Sequence, residues 1–162
     1  MHLLVDVMCG GIVAYCRVCG HDTVYAGDCG LEADADLVDA ACEGDRTLVT
    51  RDVALAERVE RRGGRVILLE SREVEPQLEA LLRSGVELTP STEPRVCGRC
   101  NGCLESVPDG DQTPSYAPDT TEFDVWRCTD CGQHFWKGSH WERISRTLER
   151  VRSSVEPSER CS

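Results

Sequence analysis

Short apolar runs alternate with amphipathic stretches along residues 1–88. "HLLVD" reads as a buried strand, and "GGIVAYCRVCG" as an apolar helix stopped by Gly20. "TVYAG" predicts a second strand. "DADLVDAACEG" sets Leu37, Val38, Ala41 and Cys42 on one face of a helix that starts near Leu37 and ends at Gly44. "TLVT" is a third strand, and "DVALAERVERRGG" a helix with Val53, Leu55, Ala56 and Val59 inward. "RVILLES" is the fourth strand, followed by "EPQLEALLRSG", a helix with Pro76 in its first turn and Gly85 past its end. Strand and helix in this order predict βαβ units, hence an α/β fold with a parallel sheet and helices on both faces.

The pattern breaks at "ELTPSTEPR", a linker with two prolines and no periodicity. Three segments are expected: an α/β domain over residues 1–90, a small module over 95–143, and a basic helical extension over 144–162 whose last residues, "EPSERCS", read as a frayed tail. The module contains a long polar loop, "VPDGDQTPSYAPDTTEFD".

Charge sharpens this division. The chain carries a net charge of −11, with 29 acids, and Lys137 is its one lysine. Residues 1–90 hold 17 acids against 9 bases, whereas residues 126–152 hold three acids against six bases. An acidic surface disfavours nonspecific contact with a polyanion, so a nucleic-acid contact is expected on the basic segment. No apolar run approaches the roughly 20 residues of a membrane span, and "MHLLVDVMCGG" lacks the basic start of a signal peptide. Eleven cysteines, an odd number in a chain without export features, predict reduced thiols in a cytoplasm rather than a disulfide scaffold.

Five of those cysteines lie in the module. Cys97-x2-Cys100 and Cys128-x2-Cys131 are two knuckles with the spacing of a four-thiolate zinc site. "RVCGRCNGCLE" offers a third thiol, Cys103. Asn101-Gly102 after Cys100 supplies residues that tolerate the left-handed turn under a metal, as Gly132 does after Cys131. This selects Cys97 and Cys100 and leaves Cys103 spare. Four cysteine ligands leave no open position for water, so the expected zinc is structural. Cys16 and Cys19 form another CxxC, but near a helix end, where small buried hydrophobes are the better reading than a redox pair.

Ligands of a parallel sheet bind beyond the carboxyl ends of its strands. Asp6, Asp28, Asp34, Asp36 and Asp52 fall there. Clustered carboxylates suit Mg²⁺ or Mn²⁺, which can activate water and stabilise a phosphoryl oxygen. Each has a plainer reading as well: Asp34 and Asp36 as caps of the helix near Leu37, and Asp52 as the cap of the helix from Val53. Asp6 ends an apolar strand, where an unpartnered charge is costly.

The blocks "LLVDVMCGGIVAYCRVCGHDTVYA", "DADLVDAA", "TLVTRDVALAERV", "GRVILLES" and "WRCTDCGQHFWKGSHWER" together resemble the Mut-seven C-terminal ribonuclease domain family, a PIN-like nuclease fold with a zinc ribbon. The resemblance spans residues 2 to about 143. It implies that Asp6, Asp34 and Asp52 hold divalent metal and hydrolyse RNA, with Asp36 a possible fourth, and that Arg17 and Arg51 lie near the RNA. Two arginines common in the family pattern are Gly11 and Ala14 here, and the tail from Thr147 has no recognised counterpart.

"VWRCTDCGQHFWKGSHWERISR" interleaves Trp126, Phe135, Trp136 and Trp141 with Arg127, Lys137, Arg143 and Arg146. Bases stack on aromatics while cations neutralise phosphates, so Trp136, Lys137 and Arg143 are expected RNA contacts. The tryptophans could equally pack the ribbon against the first domain. His140 is expected to be structural, not a zinc ligand. The leading expectation is a cytoplasmic, Mg- or Mn-dependent ribonuclease with a structural zinc ribbon. The alternatives are a non-catalytic RNA- or ribosome-binding adaptor and, more remotely, a redox or metal-responsive protein that uses the surplus cysteines.

Overall fold

A computed structural model describes the backbone of residues 1–159 and the side chains of residues 1–155. Residues 160–162, the end of the expected frayed tail, lie outside the described residues.

Four parallel strands form one sheet in the order β2-β1-β3-β4: β1 His2–Val5, β2 Asp22–Tyr25, β3 Thr47–Thr50 and β4 Val66–Leu68. Leu4 of β1 aligns with Val24 on one side and Leu48 on the other. Alternation of side chains splits the apolar residues between two faces. Leu3, Val5, Val49 and Ile67 pack against Ile12, Val13, Cys16, Leu78 and Leu81. Leu4 and Leu48 pack instead against Leu37, Val38, Ala41, Leu55 and Val59. Helices α1 (Val13–Val18) and α4 (Val74–Arg83) therefore cover one face, and α2 (Asp34–Glu43) and α3 (Val53–Arg61) the other. This is the expected α/β sheet flanked by helices.

Three local expectations are corrected. "GGIVAYCRVCG" is not one helix. A 3-10 segment, Val7–Ile12, precedes the short α1. A Cβ on Gly10 would lie 2.7 Å from the Tyr25 hydroxyl, so any larger residue here would have to push the Tyr25 ring aside. Helix α2 starts at Asp34, three residues before Leu37. Val53 points out, 57% exposed, because it occupies the first turn of α3 ahead of its apolar stripe.

Residues 95–136 form a smaller antiparallel sheet in the order β5-β6-β7: β5 Leu104–Ser106, β6 Val125–Cys128 and β7 His134–Trp136. Its two CxxC turns face each other. Helix α5 (Ser139–Glu159) then runs back onto the first sheet's layer. Ile144, Leu148 and Val151 join the same core as Leu3 and Val5. The spacing of these three, and of the buried Val155, is an amphipathic stripe. The expected basic extension is thus a structural helix, and it continues through residues 156–159, where a frayed tail was expected. Arg150 pairs with Glu75 at 2.6 Å, and Arg152 donates to the Leu88 carbonyl at 2.7 Å, fastening α5 to α4 and the linker.

Candidate functional site

The carboxyl edge of the parallel sheet collects the acids. Asp6 leaves β1 in extended geometry, and its amide still donates to the Val49 carbonyl at 3.0 Å. That ladder bond draws its side chain into the edge, where it is buried. The fully buried Thr50 hydroxyl donates to Asp6 Oδ2 at 2.7 Å and accepts from the Asp52 amide at 3.0 Å. The Asp6 carboxylate is thereby linked through one hydroxyl to the backbone amide of Asp52. Thr50 was not expected at the site. The signal was its place before "RD" at the end of an apolar strand.

Asp52 is also the N-cap of α3, accepting the Leu55 amide on Oδ1 at 3.1 Å. Asp34 and Asp36 are exposed and lie in the first turn of α2, where the helix dipole favours negative charge. Neither makes a side-chain cap bond, the N-cap position being Ala33. Asp34 pairs with Arg58 of α3 at 3.8 Å. Asp28 is exposed and lies 3.9 Å from Arg17. Cys9 sits beside Asp6. Burial, and then the Asp6 carboxylate, push its thiol up to about 11, against the pull of Arg51. Arg51 is half-buried, and its Nε has no hydrogen-bond partner.

Arg17 was expected to reach RNA, but it is buried. Its Nε and Nη2 donate to the Thr23 carbonyl at 3.1 and 2.9 Å, and its Nη1 to the Gly98 carbonyl at 3.0 Å. Burial lowers its pKa, and Asp28 works against that. The side chain clamps the first knuckle to β2. Asn101 completes the clamp, accepting the Thr23 amide at 2.8 Å and donating to Asp22 at 2.7 Å. Burial works against the Asp22 carboxylate, yet hydrogen bonds from Arg46 and Asn101 bring it down to about 2.

The four knuckle thiols converge. Cys97, Cys100, Cys128 and Cys131 have sulfurs that all lie within 4.8 Å of one another. Cys97–Cys131 and Cys100–Cys128 are separated by 3.7 and 3.5 Å. The edge of a tetrahedron built on Zn–S bonds of roughly 2.3 Å is about 3.8 Å, so the cluster fits zinc. Asn101 has φ +69° and Gly132 φ +76°, one left-handed residue after each pair. The Asp130 and Cys131 amides point at Cys128 Sγ, at 3.4 and 3.5 Å. Burial opposes ionisation of Cys128, but these amides and the neighbouring thiols bring it down to about 7. Burial pushes Cys97 up to about 12. Cys103 is exposed and outside the cluster, and its carbonyl accepts from Thr129 at 2.9 Å. Among the described residues no other group of three or more histidine, cysteine or acidic side chains is drawn this close, and the aspartates of the sheet edge are farther apart.

Cys16 and Cys19 are free thiols whose burial pushes each up to about 12. Neutral, shielded thiols are poor nucleophiles. Lys137 is exposed, donates to the Thr92 carbonyl at 2.7 Å, and lies over the rings of Trp126 and Trp141. Trp136 is half-buried, and Arg143 and His140 are exposed.

A family model described as the Mut7-C RNAse domain matches residues 1–148. Comparisons with curated proteins and with solved structures found no match. Among the described residues no helix is long and apolar enough to cross a membrane.

Proposed function

Since the chain belongs to the Mut7-C RNAse domain family, we propose that it is a metal-dependent ribonuclease acting at the carboxyl edge of the parallel sheet. The observation that carries this reading is Asp6: a buried carboxylate at a strand end, with one oxygen fixed by Thr50 and linked through that hydroxyl to the Asp52 amide. Burying a carboxylate is costly, and one neutral hydroxyl offsets only part of that cost. A hard divalent cation suits the lone pairs that this carboxylate has left.

Asp6, Asp52 and Asp34 would hold Mg²⁺ or Mn²⁺. When bound, that ion supplies an activated water and a counter-charge for a phosphoryl oxygen. Thr50 sets the orientation of Asp6. The Asp52 cap leaves its Oδ2 free of helix duty, because the Leu55 amide takes Oδ1. Arg58 holds Asp34 beside α3. Arg51 stands between Thr50 and Asp52 in the chain as the adjacent cation for a phosphate. The zinc ribbon is the structural partner, and Trp136, Lys137 and Arg143 give RNA a basic, aromatic approach. Ten described cysteines are all free, which fits a reducing cytoplasm.

A second reading has its own support. Asp52 already serves as a cap and Asp34 as an ion-pair partner, as expected of a non-catalytic RNA- or ribosome-binding adaptor. One experiment separates the two. The purified protein is incubated with mixed RNA and Mn²⁺ or Mg²⁺, beside Asp6→Asn. The nuclease reading expects cleavage by the parent and a loss of at least a hundredfold in the variant, on the order of one removed catalytic group. Equal cleavage by both removes Asp6 from the reaction and overturns the proposed site, and RNA retained without cleavage by either favours the adaptor.

A further inference from the structure

A groove of about 400 Å³ opens between the ribbon and the first domain. Ala14 and Val18 of α1 form one wall. Trp126, Phe135 and Trp136 of the ribbon form the other, with Trp141 of α5 closing the end. Its volume lies within the range of small-molecule sites. All three tryptophans of the chain line it. Tryptophans that merely pack two units together would fill such a space.

We propose that this groove is a nucleobase pocket, in which an unpaired base of single-stranded RNA inserts against the Trp136 and Trp141 rings. The proposal deepens the ribonuclease reading by giving its substrate an unstacked base at a point away from the bond that is cut. Three observations support a base over other planar ligands. Three indoles line the groove, and every base has a π-face to stack on such a ring. Lys137, 5.4 Å from the Trp141 ring centroid and 5.9 Å from that of Trp126, stands where a phosphate next to the inserted base would meet a cation. Gln133, on the groove wall, has its side-chain carbonyl taken by Arg99 at 2.9 Å, which leaves its NH₂ as donors for a base edge.

Charge selects the same occupant. Residues 126–152, which supply about half of the groove's lining, are basic in an otherwise acidic chain, so a polyanion is repelled elsewhere and drawn toward this side. A proline-rich peptide would also suit aromatic walls, but it would gain nothing from Arg99 on the wall or Lys137 beside Trp141. The six-residue 3-10 segment Val7–Ile12 separates Asp6 from the groove wall at Ala14. The segment is kinked at Cys9, and at about 2.0 Å rise per residue even a straight run would keep the two within roughly 16 Å. One strand could occupy both, and a duplex could not, because its bases are paired and stacked inside.

All three tryptophans line this groove, so tryptophan emission reports on it. The test titrates the zinc-loaded protein, without added Mg²⁺ or Mn²⁺, with a short single-stranded oligouridylate. The same is done with a duplex of equal length and with an abasic ribose-phosphate oligomer. The proposal expects saturable quenching by the single strand and little by the duplex or the abasic oligomer. Trp136→Ala should weaken binding roughly tenfold, with zinc content of one per chain as the control for folding. Gln133→Ala, at the groove wall, is the second variant should Trp136→Ala lose zinc, and it should weaken binding in the same direction. RNA retained in a mobility shift with unchanged emission overturns the pocket. So does equal quenching by the abasic oligomer, or quenching by an aromatic-binding peptide but not by RNA. Because no cleavage is measured, a protein that fails to cut RNA yet shows base-dependent quenching loses the ribonuclease reading and keeps the pocket.

Discussion

Thr50 is a buried threonine with both of its hydrogen-bonding roles in use. Its hydroxyl donates to Asp6 and accepts from Asp52. Valine has nearly the same shape but neither function. Thr50→Val should leave Asp6 Oδ2 and the Asp52 amide unsatisfied and cost about 1–3 kcal/mol of stability. If Asp6 acts as proposed, the variant should also lower kcat more than it raises KM, because orientation rather than RNA affinity is lost. Thr50→Ser should recover most of the rate. Denaturation midpoints and steady-state cleavage measure the two effects, and equal rates in all three proteins would remove Thr50 from the site. Asp6 itself was legible in the sequence, since an acid closing an apolar strand needs a partner. The partner was not, because Thr50 lies 44 residues away and only strand pairing brings it there. Arg17 was misread for the same reason. The family resemblance set it near the RNA, and the carbonyls of Thr23 and Gly98 that hold it come together only in the fold.

At the scale of elements, the knuckles were the most legible part of the chain. Spacing fixed the ligand pairs, and turn chemistry chose between Cys97/Cys100 and Cys100/Cys103. The backbone bears out that choice, with Asn101 in the left-handed region. Cys103→Ser should keep one zinc per chain, and Cys100→Ser should lose it, as read by metal analysis of the purified proteins. Retention in Cys100→Ser would mean that Cys103 can replace it. Asn101 does a second job that sequence could not show. Its side chain holds Thr23 and Asp22 of β2, so the residue that turns under the metal also ties the knuckle to the sheet. Helix starts were read less well. The run of acids before Leu37 looked like capping residues, whereas the helix already includes Asp34.

For the whole molecule, the order of strands and helices along residues 1–88 was enough to give the sheet and its two covered faces. Missing from that picture was the part played by α5. Its arginines and glutamates masked an apolar stripe of Ile144, Leu148 and Val151 that completes the core under β1. Leu148 is fully buried. Leu148→Ala should destabilise the protein by about 2–5 kcal/mol through lost burial and a cavity. It should also lower the melting temperature of the whole chain in a single transition. A second, unaffected transition would mean that residues 1–88 fold without α5. The same helix carries Trp141 and His140 into the groove, so one element serves both the core and the ribbon.

The placement of α5 has a consequence for synthesis. The first strand and the helix that finishes its surroundings are separated by nearly the full length of the chain. During translation, at about 5–20 residues per second, the sheet emerges several seconds before Leu148 does. Over that interval the Leu78 and Leu81 face of α4 lacks its final cover. Contacts of such long sequence separation also form slowly, since the loop must close before they contribute. A nascent chain therefore reaches its full stability only after the ribbon has emerged and had the opportunity to take up zinc. The thiol cluster is thus complete before the fold is, an order in time set by the sequence itself.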